Sequence, residues 1–511
     1  MKYAVIPAAG SGTRMKELGK QYAKTILPYN GKPIIVHIVD GLLKSIEPDL
    51  ITIVYSNEDH REQIKNALSL YGFNDKIQFE QVFGGRQGPA KSILSGLSQF
   101  MTDDDEVYVH LSDFIVPNFE KLSIEKNSIS AFKVDDPSRW CMVHSNLDGY
   151  VDHFSDKPKD EVDTNLAVSG LYYFGNGLEL LNAFNRCDED APGEFQISEV
   201  MMEYHEAVPL KVSYIDAKKF KDFGTIEEFI QNRGVSKSRS FNVIEFNDDM
   251  VTKSSYIYPE KINAESAWFV SIPTELQKYV PKLLQRSAGM YTLEKIKSNN
   301  LRDLYLYMDR SQETWDEIFD SVYSFIKKCE KYKSDTFGAY RFWNRIFDKN
   351  NERILGTPYQ NEASIFIQDL HYDITESSYF NENTLYHGDL HFANMFYCFH
   401  YKDLKLIDPN GHVTGHWFYD LAKLNHSVNG KYDWIDSELY VKTSFLDKGT
   451  ENVKASFNRL LDKLELNSKE RRLLTKLTAS LFLTMIPLHT HSKENQKLFL
   501  NEFRRLRDEL G

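Results

Sequence analysis

Asp389 stands five residues before Asn394 in Leu385-Tyr-His-Gly-Asp-Leu-His-Phe-Ala-Asn-Met-Phe396. Asp408 follows fourteen residues later, closing the apolar run Leu404-Lys-Leu-Ile-Asp-Pro409. That layout suits phosphoryl transfer: one carboxylate takes a hydroxyl proton, and an Asn/Asp pair holds magnesium on the phosphates. At the other end of the chain, Tyr3-Ala-Val-Ile6 enters the Gly-rich turn Pro7-Ala-Ala-Gly-Ser-Gly-Thr-Arg-Met15. Such a turn offers backbone N–H groups to phosphate oxygens, and Gly10 and Gly12 let a ligand approach closely. Arg14 and Lys24 add positive charge. A bare Gly-x-Gly is as often only a tight turn. The longer phrase from Ala8 to Met15, followed by Lys24-Thr-Ile-Leu-Pro-Tyr-Asn-Gly-Lys-Pro33, is more specific.

Elements of two kinds must position these groups. Apolar runs at 3–6, 50–55, 77–81 and 106–111 alternate with helical spacing at 33–46, 62–70 and about 89–100. This rhythm predicts an α/β unit with a mostly parallel sheet covered by helices. From about 128 to 215 the pattern becomes strand-rich, with a hairpin turn at Asn146–Gly149 and a central strand at Gly170–Phe174. A helix start at Asp222–Ile230 closes the unit. The basic, serine-rich run 231–240 reads as a boundary, giving domains 1–235 and 236–511. Beyond it come a hairpin over 241–254, turning at Asn247-Asp248, and amphipathic helices at 315–330, 337–348 and 455–510.

Composition bounds the function. A length of 511 residues favours more than one core, and 41% hydrophobic with 26% charged residues is a globular balance. A net charge of −13 excludes a broad nucleic-acid surface, which needs a basic footprint. Cys141, Cys187, Cys329 and Cys398 form no CxxC pair, so a disulfide framework or zinc site is not expected. A strand begins at the first residues, and no apolar run approaches the roughly 18 residues of a membrane span. The run Leu477–Pro487 reads as a buried helix, and the expected compartment is the cytoplasm, without nucleic-acid or membrane partners.

Residues 1–232 resemble the nucleotidyltransferases that make nucleotide sugars and CDP-alcohols from an NTP and a phosphomonoester. The resemblance implies a Rossmann-like mixed sheet. It also implies that Ala8, Ala9, Gly10, Gly12 and Thr13 cradle the triphosphate, with Arg14 and Lys24 as catalytic cations. Gln81 and Gly88 would face the base, Asp113 and Asp222 would hold Mg2+, Lys157 would meet the acceptor phosphate, and Gly170 would line its pocket. Cations at these places suit the chemistry, since attack of a phosphomonoester on an α-phosphorus joins two anions. Two positions depart from the family: Ala23 replaces a proline before Lys24, and Asp156 replaces a glutamate before Lys157.

Residues 238–511 resemble the choline kinase and aminoglycoside phosphotransferase family, which implies a protein-kinase-like α+β domain. Asp389 would then be the catalytic base, Asn394 and Asp408 the magnesium ligands, Lys253 the grip on the ATP phosphates, and Glu265 its helix-borne partner. Asp420 matches a structural acid, and His391 is expected to fix the loop. The Gly-rich loop of this family is missing, leaving Ser236, Ser238 and Ser240 to cover the phosphates, and Met290–Leu293 is the expected hinge against adenine.

Together these imply a bifunctional enzyme. It would phosphorylate a small alcohol or sugar with ATP, and transfer a nucleoside monophosphate from CTP or UTP to a phosphomonoester, making an activated precursor for surface polysaccharide. Two alternatives stand beside this: a non-catalytic kinase-like module, or a choline kinase/phosphocholine cytidylyltransferase. For the latter, Trp343, Trp417, Phe418, Tyr419 and Trp434 could box a quaternary ammonium, although core packing explains most such residues better.

Overall fold

The computed structural model describes all residues except 11–22, 31, 74, 83, 85, 98–100, 117–124, 161, 189–190, 226–227, 230–242, 247–248, 297, 299, 308–310, 334–335, 400, 438, 440–445, 491 and 511. The chain forms two compact units, Met1–Gly234 and Val235–Gly511.

In the first unit, strands β1 (Lys2–Pro7), β2 (Leu50–Tyr55), β3 (Ile77–Gln81) and β4 (Glu106–His110) alternate with helices α1 (Ile34–Ser45), α2 (Glu58–Leu70) and α3 (Pro89–Ser95). The first four strands lie parallel in the order β3-β2-β1-β4. β1 and β2 are nearly free of polar residues because helices cover both faces of a parallel sheet. Asn57 starts α2 by accepting the N–H groups of Asp59 and His60.

The antiparallel half of the sheet follows. It contains β6 (Ser128–Lys133), β7 (Cys141–Ser145), β8 (Val151–Asp156) and β9 (Leu166–Phe174), after the two-residue β5 (Phe114–Ile115). β9 pairs with β4, β6 and β7, and is therefore central, as its run of apolar residues predicts. Helices α4 (Gly177–Arg186) and α5 (Ile197–Ala207) follow, then β10 (Lys211–Tyr214), parallel to β6. The core gathers Val5, Val54, Val107, Val109, Phe174 and Phe184, all at most 2% exposed.

Asp222 lies in β11 (Lys221–Asp222), which pairs antiparallel with β5, and within the predicted helix start at 222–230 the described residues Glu228 and Phe229 are helical. One expectation is corrected here. α3 stops at Ser95 rather than reaching residue 100, because Gly96 caps it through N–H bonds to Ile93 and Leu94 carbonyls.

The second unit opens with a four-stranded sheet in the order β12-β13-β15-β14: β12 (Val243–Phe246), β13 (Met250–Ser254), β14 (Leu283–Ser287) and β15 (Met290–Glu294). Helix α6 (Pro259–Ser271) connects β13 to the rest. A helical part follows: α7 (Leu301–Tyr307), α8 (Gln312–Cys329), α9 (Thr336–Ile354) and α10 (Gln360–Thr375). The hairpin β16 (Met395–Cys398) and β17 (Asp403–Leu406) then precedes α11 (Trp417–Val428). The amphipathic stretch 455–510 resolves into α12 (Leu446–Lys463), α13 (Ser468–Met485) and α14 (Lys493–Asp508). Asn467 and Glu470 restart the chain at α13 with a reciprocal capping box.

Among the described residues, no helix is long and apolar enough to cross a membrane. Met290–Leu293 is not a hinge. It forms most of the inner strand β15, bonded to β13 on one side and β14 on the other, with Tyr291 buried. Trp343, Trp417, Phe418 and Trp434 are at most 6% exposed, so they build core rather than an ammonium box.

Candidate active sites

The first site assembles where the strand order reverses, between β1 and β4. In sheets of this kind, the crevice at the carboxyl ends of such strands is where ligands bind. The chain leaves β1 through Ala8, Ala9 and Gly10, and leaves β4 through Leu111, Ser112 and Asp113. Ser112 Oγ donates to the Pro7 carbonyl at 2.7 Å, and Ala8 N–H to the Val54 carbonyl at 2.8 Å, which fixes both loops on one rim. Gly12, Thr13 and Arg14 lie outside the described residues.

Asp113 and Asp222 are far apart in sequence and adjacent in space. The β5/β11 pair places Asp222 opposite Phe114, and Phe223 N–H donates to the Asp113 carbonyl at 2.7 Å. Lys24 reaches in from a short 3-10 turn, its Nζ 3.0 Å from Asp113 Oδ2. Two residues that the motifs did not single out complete the cluster. Arg139 Nη2 is 2.7 Å from Asp222 Oδ2, and the same nitrogen contacts Glu228. Burial, then Glu228 and Asp113, push the Asp222 pKa up to about 7, against the pull of the Gly224 N–H. Among the described residues, Asp113, Asp222 and Glu228 thus gather with Lys24 and Arg139. Carboxylates so placed fit Mg2+, which binds through one or two of them together with substrate phosphates. No group of three or more His, Cys, Asp or Glu side chains arranged to hold a metal occurs among the described residues.

The residues expected to face the base lie on the same rim. Gln81 ends β3, next to Tyr55 at the end of β2. Gly88 precedes α3 at φ 151°, its Cα against the backbone of Phe195. Arg86 pins this loop, bonding Glu199 at 2.8 Å and lying over the Phe195 ring. Gly170 adopts φ 96° and accepts the Leu111 N–H at 2.9 Å, two residues before Asp113. Lys157 is not joined to this cluster. It sits exposed just past β8 at φ 45°, its N–H bonded to the Trp140 carbonyl, and its ammonium makes no hydrogen bond or ion pair with described residues.

The second site is built on the four-stranded sheet and the loop after α10. Lys253, on β13, places Nζ 2.8 Å from Glu265 of α6 and 3.0 Å from Asp408. Lys253 and Glu265 side chains are only 6% and 2% exposed. Burial alone would discharge the ammonium, but Asp408 and Glu265 hold its pKa above the usual lysine value. Asp408 itself takes a left-handed backbone, φ 55°.

Asn394 Nδ2 donates to the Asp389 carbonyl at 3.0 Å and to Asp389 Oδ2 at 3.2 Å, leaving its amide oxygen for a cation. His391 Nε2 lies 3.2 Å from the same amide nitrogen, so it steadies the loop as expected. Asp420 accepts the N–H groups of His387 at 2.7 Å and Gly388 at 2.6 Å, which buttresses the loop from beneath. Lys423, one helical turn along α11, was not singled out by the motif; its Nζ is 3.0 Å from Asp389 Oδ1. Burial raises the Asp389 pKa, but Lys423 and His391 outweigh it and hold the carboxyl well below its ordinary value. The carboxylate form, able to accept a proton, is therefore the resting one. Ser236, Ser238 and Ser240 lie outside the described residues.

Residues 3–236 match the sequence model of the Nucleotidyl transferase family. The first unit carries a nucleotidyl transferase domain. This domain is 26% identical over 181 residues to the Bifunctional protein GlmU of Methanococcus maripaludis, covering 34% of this chain and 40% of the relative. It is 29% identical over 178 residues to the Mannose-1-phosphate guanyltransferase of Debaryomyces hansenii, covering 33% of this chain and 48% of the relative. The match thus spans less than half the length of either relative. A solved UDP-glucose pyrophosphorylase complexed with UDP-glucose covers 46% of this chain and 97% of its own, at 19% identity and a TM-score of 0.39.

Proposed function

We propose that the chain is a bifunctional enzyme with two separate phosphate-transfer sites. The nucleotidyl transferase domain would join a nucleoside monophosphate from an NTP, CTP or UTP by preference, to a sugar or polyol phosphomonoester. The second unit would supply a phosphomonoester by phosphorylating a hydroxyl with ATP. The product class suits activated precursors of surface polysaccharide.

The observation that carries the first half is the meeting of Lys24, Asp113 and Asp222 at the switch point of the sheet. In the reaction, an acceptor phosphate oxygen attacks the α-phosphorus, and pyrophosphate leaves. Mg2+, when bound by Asp113 and Asp222, would neutralise phosphate charge. The chain's own part is to hold the anions in line: Ala8–Gly10 present backbone to the triphosphate, Lys24 adds a cation, and Arg139 fixes the Asp222 carboxylate.

The second half is supported by the linked Lys253, Glu265 and Asp408, with Asp389 and Asn394 beside them. A buried ion pair is a poor device for stability alone, because desolvation offsets its Coulomb gain. A lysine on a strand, anchored by a helix glutamate and aimed at Asp408, is what phosphate positioning requires. Asp389 would take the hydroxyl proton as oxygen attacks the γ-phosphorus and ADP leaves, and Asn394 and Asp408 would hold Mg2+.

The test uses two variants of the full chain. Asp389→Ala should abolish ADP formation but leave pyrophosphate release from a supplied phosphomonoester. Asp113→Ala should do the reverse. Loss of both reactions in either properly folded variant would rule out two independent sites. A screen of four NTPs against phosphomonoesters, read by pyrophosphate release, then identifies the substrates.

A further inference from the structure

An open recess of about 640 Å³ lies along α9, lined by Tyr340, Arg341, Asn344, Arg345 and Lys349 with Asp348 and Glu352, all from that helix. Arg341, Arg345, Lys349 and Arg353 recur every four residues, so they form one stripe along the helix. Like charges at this spacing destabilise a helix by a few tenths of a kcal/mol per pair, about 0.2–0.5. Helix stability does not explain the row. Neither Asp348 nor Glu352 makes an ion pair with Arg345 or Lys349 among the described residues.

The row is tied to the catalytic loop. Arg345 Nη2 donates to Tyr386 Oη at 3.5 Å, and Asn410 Nδ2 donates to the same hydroxyl at 2.6 Å. Tyr386 immediately precedes His387-Gly388-Asp389, and Asn410 comes two residues after Asp408. Arg345 is thus bridged to both chain segments that carry the phosphotransfer residues. Lys349 is solvent-accessible and lines the recess, where neighbouring protein displaces part of its hydration. Burial, then Arg353 and Lys423, push its pKa down to about 8, with Asp389 opposing them. Lys349 therefore lies within electrostatic reach of Asp389, on ground already rich in positive charge.

Such a wall repels a quaternary ammonium. Tyr340 also lines the recess and is exposed, so the selection against that ligand rests on charge rather than on a lack of aromatic surface. We propose that the alcohol phosphorylated at the Asp389 site is itself an anion, a hydroxy acid or a polyol phosphate, with its charged group received by Arg345 and Lys349. This rests on the phosphotransfer reading of the second unit. In the step, the acceptor oxygen forms the new P–O bond, the γ-phosphorus bond to the bridging oxygen breaks, the hydroxyl proton passes to Asp389, and ADP departs. The charge at the far end of the acceptor stays on the cation row, which selects among alcohols without entering the chemistry.

The full-length protein is assayed with labelled ATP and Mg2+ against D-glycerate, glycerol 3-phosphate, glycerol and choline. At least one of the two anions should have a kcat/KM about tenfold or more above those of glycerol and choline. Lys349→Glu should lower that value by about tenfold, mostly through acceptor KM, while the KM for ATP moves by less than about twofold. Preference for glycerol or choline overturns the inference, as does a Lys349→Glu effect that falls on ATP instead. If none of the four is phosphorylated, calorimetry with the two anions on the chain loaded with a non-hydrolysable ATP analogue decides. Anion binding that Lys349→Glu abolishes supports the inference; no binding, or binding unchanged by the substitution, overturns it. Failure of the wild-type chain to bind the ATP analogue is a separate result, and would remove the phosphotransfer reading together with this inference.

Discussion

Arg139 holds Asp222 at 2.7 Å, and the two residues reach each other across 83 positions of sequence. Burial works against the guanidinium charge, but Glu228 and Asp222 keep its pKa above the ordinary arginine value. With Arg139→Met, Asp222 and Glu228 would face each other and Asp113 without that cation. Carboxylate repulsion should then disturb the geometry that, in the proposed reaction, would present Asp113 and Asp222 to the triphosphate. The expected loss in kcat/KM for pyrophosphate release is about 10- to 100-fold, with ADP formation at the second unit unchanged. Arg139→Lys should recover only part, because an ammonium cannot span two carboxylates as a planar fork does. Full activity in Arg139→Met would remove the arginine from the site.

The contrast between Arg139 and Asp113 shows what the sequence makes legible. Asp113 follows a strand in a βα rhythm, so local pattern places it at the carboxyl edge of the sheet, where it is found. Asp389 and Asn394 sit in one short loop, and their spacing sets their contact. Arg139 and Lys423 carry no local signal of this kind; each reaches its carboxylate through the packing of separate elements. Asp222 precedes the helical residues of the run 222–230 in a two-residue strand too short for any period to appear, and only its pairing with Phe114–Ile115 defines it. Met290–Leu293 was misread for a related reason. An apolar run fits a hinge or a strand equally, and the bonds to β13 and β14 decide.

Gly88 is held where no side chain fits. Its φ is 151°, and a Cβ there would lie 2.4 Å from the Phe195 carbonyl oxygen and 2.6 Å from its nitrogen. Both are backbone atoms bonded to the same loop, with Phe195 N–H donating to Gln87 and Ala90 N–H donating to Phe195. Neither side can yield without breaking these bonds. Gly88→Ala should therefore destabilise the first unit by about 1–3 kcal/mol, seen as a lower urea midpoint. Gly10→Ala makes the control, because a Cβ at Gly10 meets nothing within 4 Å. Equal stability of the two variants would show that the loop has room to move.

His416 makes the second unit sensitive to acid. Burial drives its pKa from 6.5 down to about 3, although a hydrogen bond with the Tyr379 backbone pulls the other way. Its Nδ1 accepts the Phe418 N–H at 3.1 Å, so the neutral ring caps α11. A depressed folded pKa means that the unfolded state takes up the proton first as pH falls. Stability is fully present above about pH 6.5, and falls by up to about 1.4 kcal/mol per pH unit between there and the folded value. Five of the six tryptophans, Trp268, Trp315, Trp343, Trp417 and Trp434, lie in this unit, so fluorescence-detected urea unfolding at pH 7, 6 and 5 reports it. His416→Asn keeps an acceptor for the cap but cannot titrate. It should be less stable at pH 7, with a shallower decline toward pH 5. An unchanged slope would assign the acid sensitivity to other groups.

Lys423 and Asp389 form the closest pairing of opposite charges at the proposed phosphotransfer base, Nζ to Oδ1 at 3.0 Å. The lysine side chain is 15% exposed and also lies near the Tyr419 ring, so its position is fixed by packing as well as charge. Such a cation would do two things as ATP and acceptor arrive. It would keep the Asp389 carboxylate oriented between Asn394 and the incoming hydroxyl, and it would offset the negative charge of the γ-phosphate. Both effects would belong to the transition state more than to ATP binding, because in the proposed site Lys253 would meet the nucleotide phosphates. Lys423→Met should therefore lower kcat for ADP formation about 100-fold, with a change in the KM for ATP of less than about threefold. Lys423→Arg, which keeps the charge, should restore a substantial part, whereas a purely structural lysine would be replaced about equally well by either residue. Pyrophosphate release by the nucleotidyl transferase domain should be unaffected in both variants, which separates a local effect from general misfolding. If Lys423→Met instead raised the KM for ATP and left kcat intact, the lysine would belong to nucleotide binding, and Asp389 would need another partner to orient it.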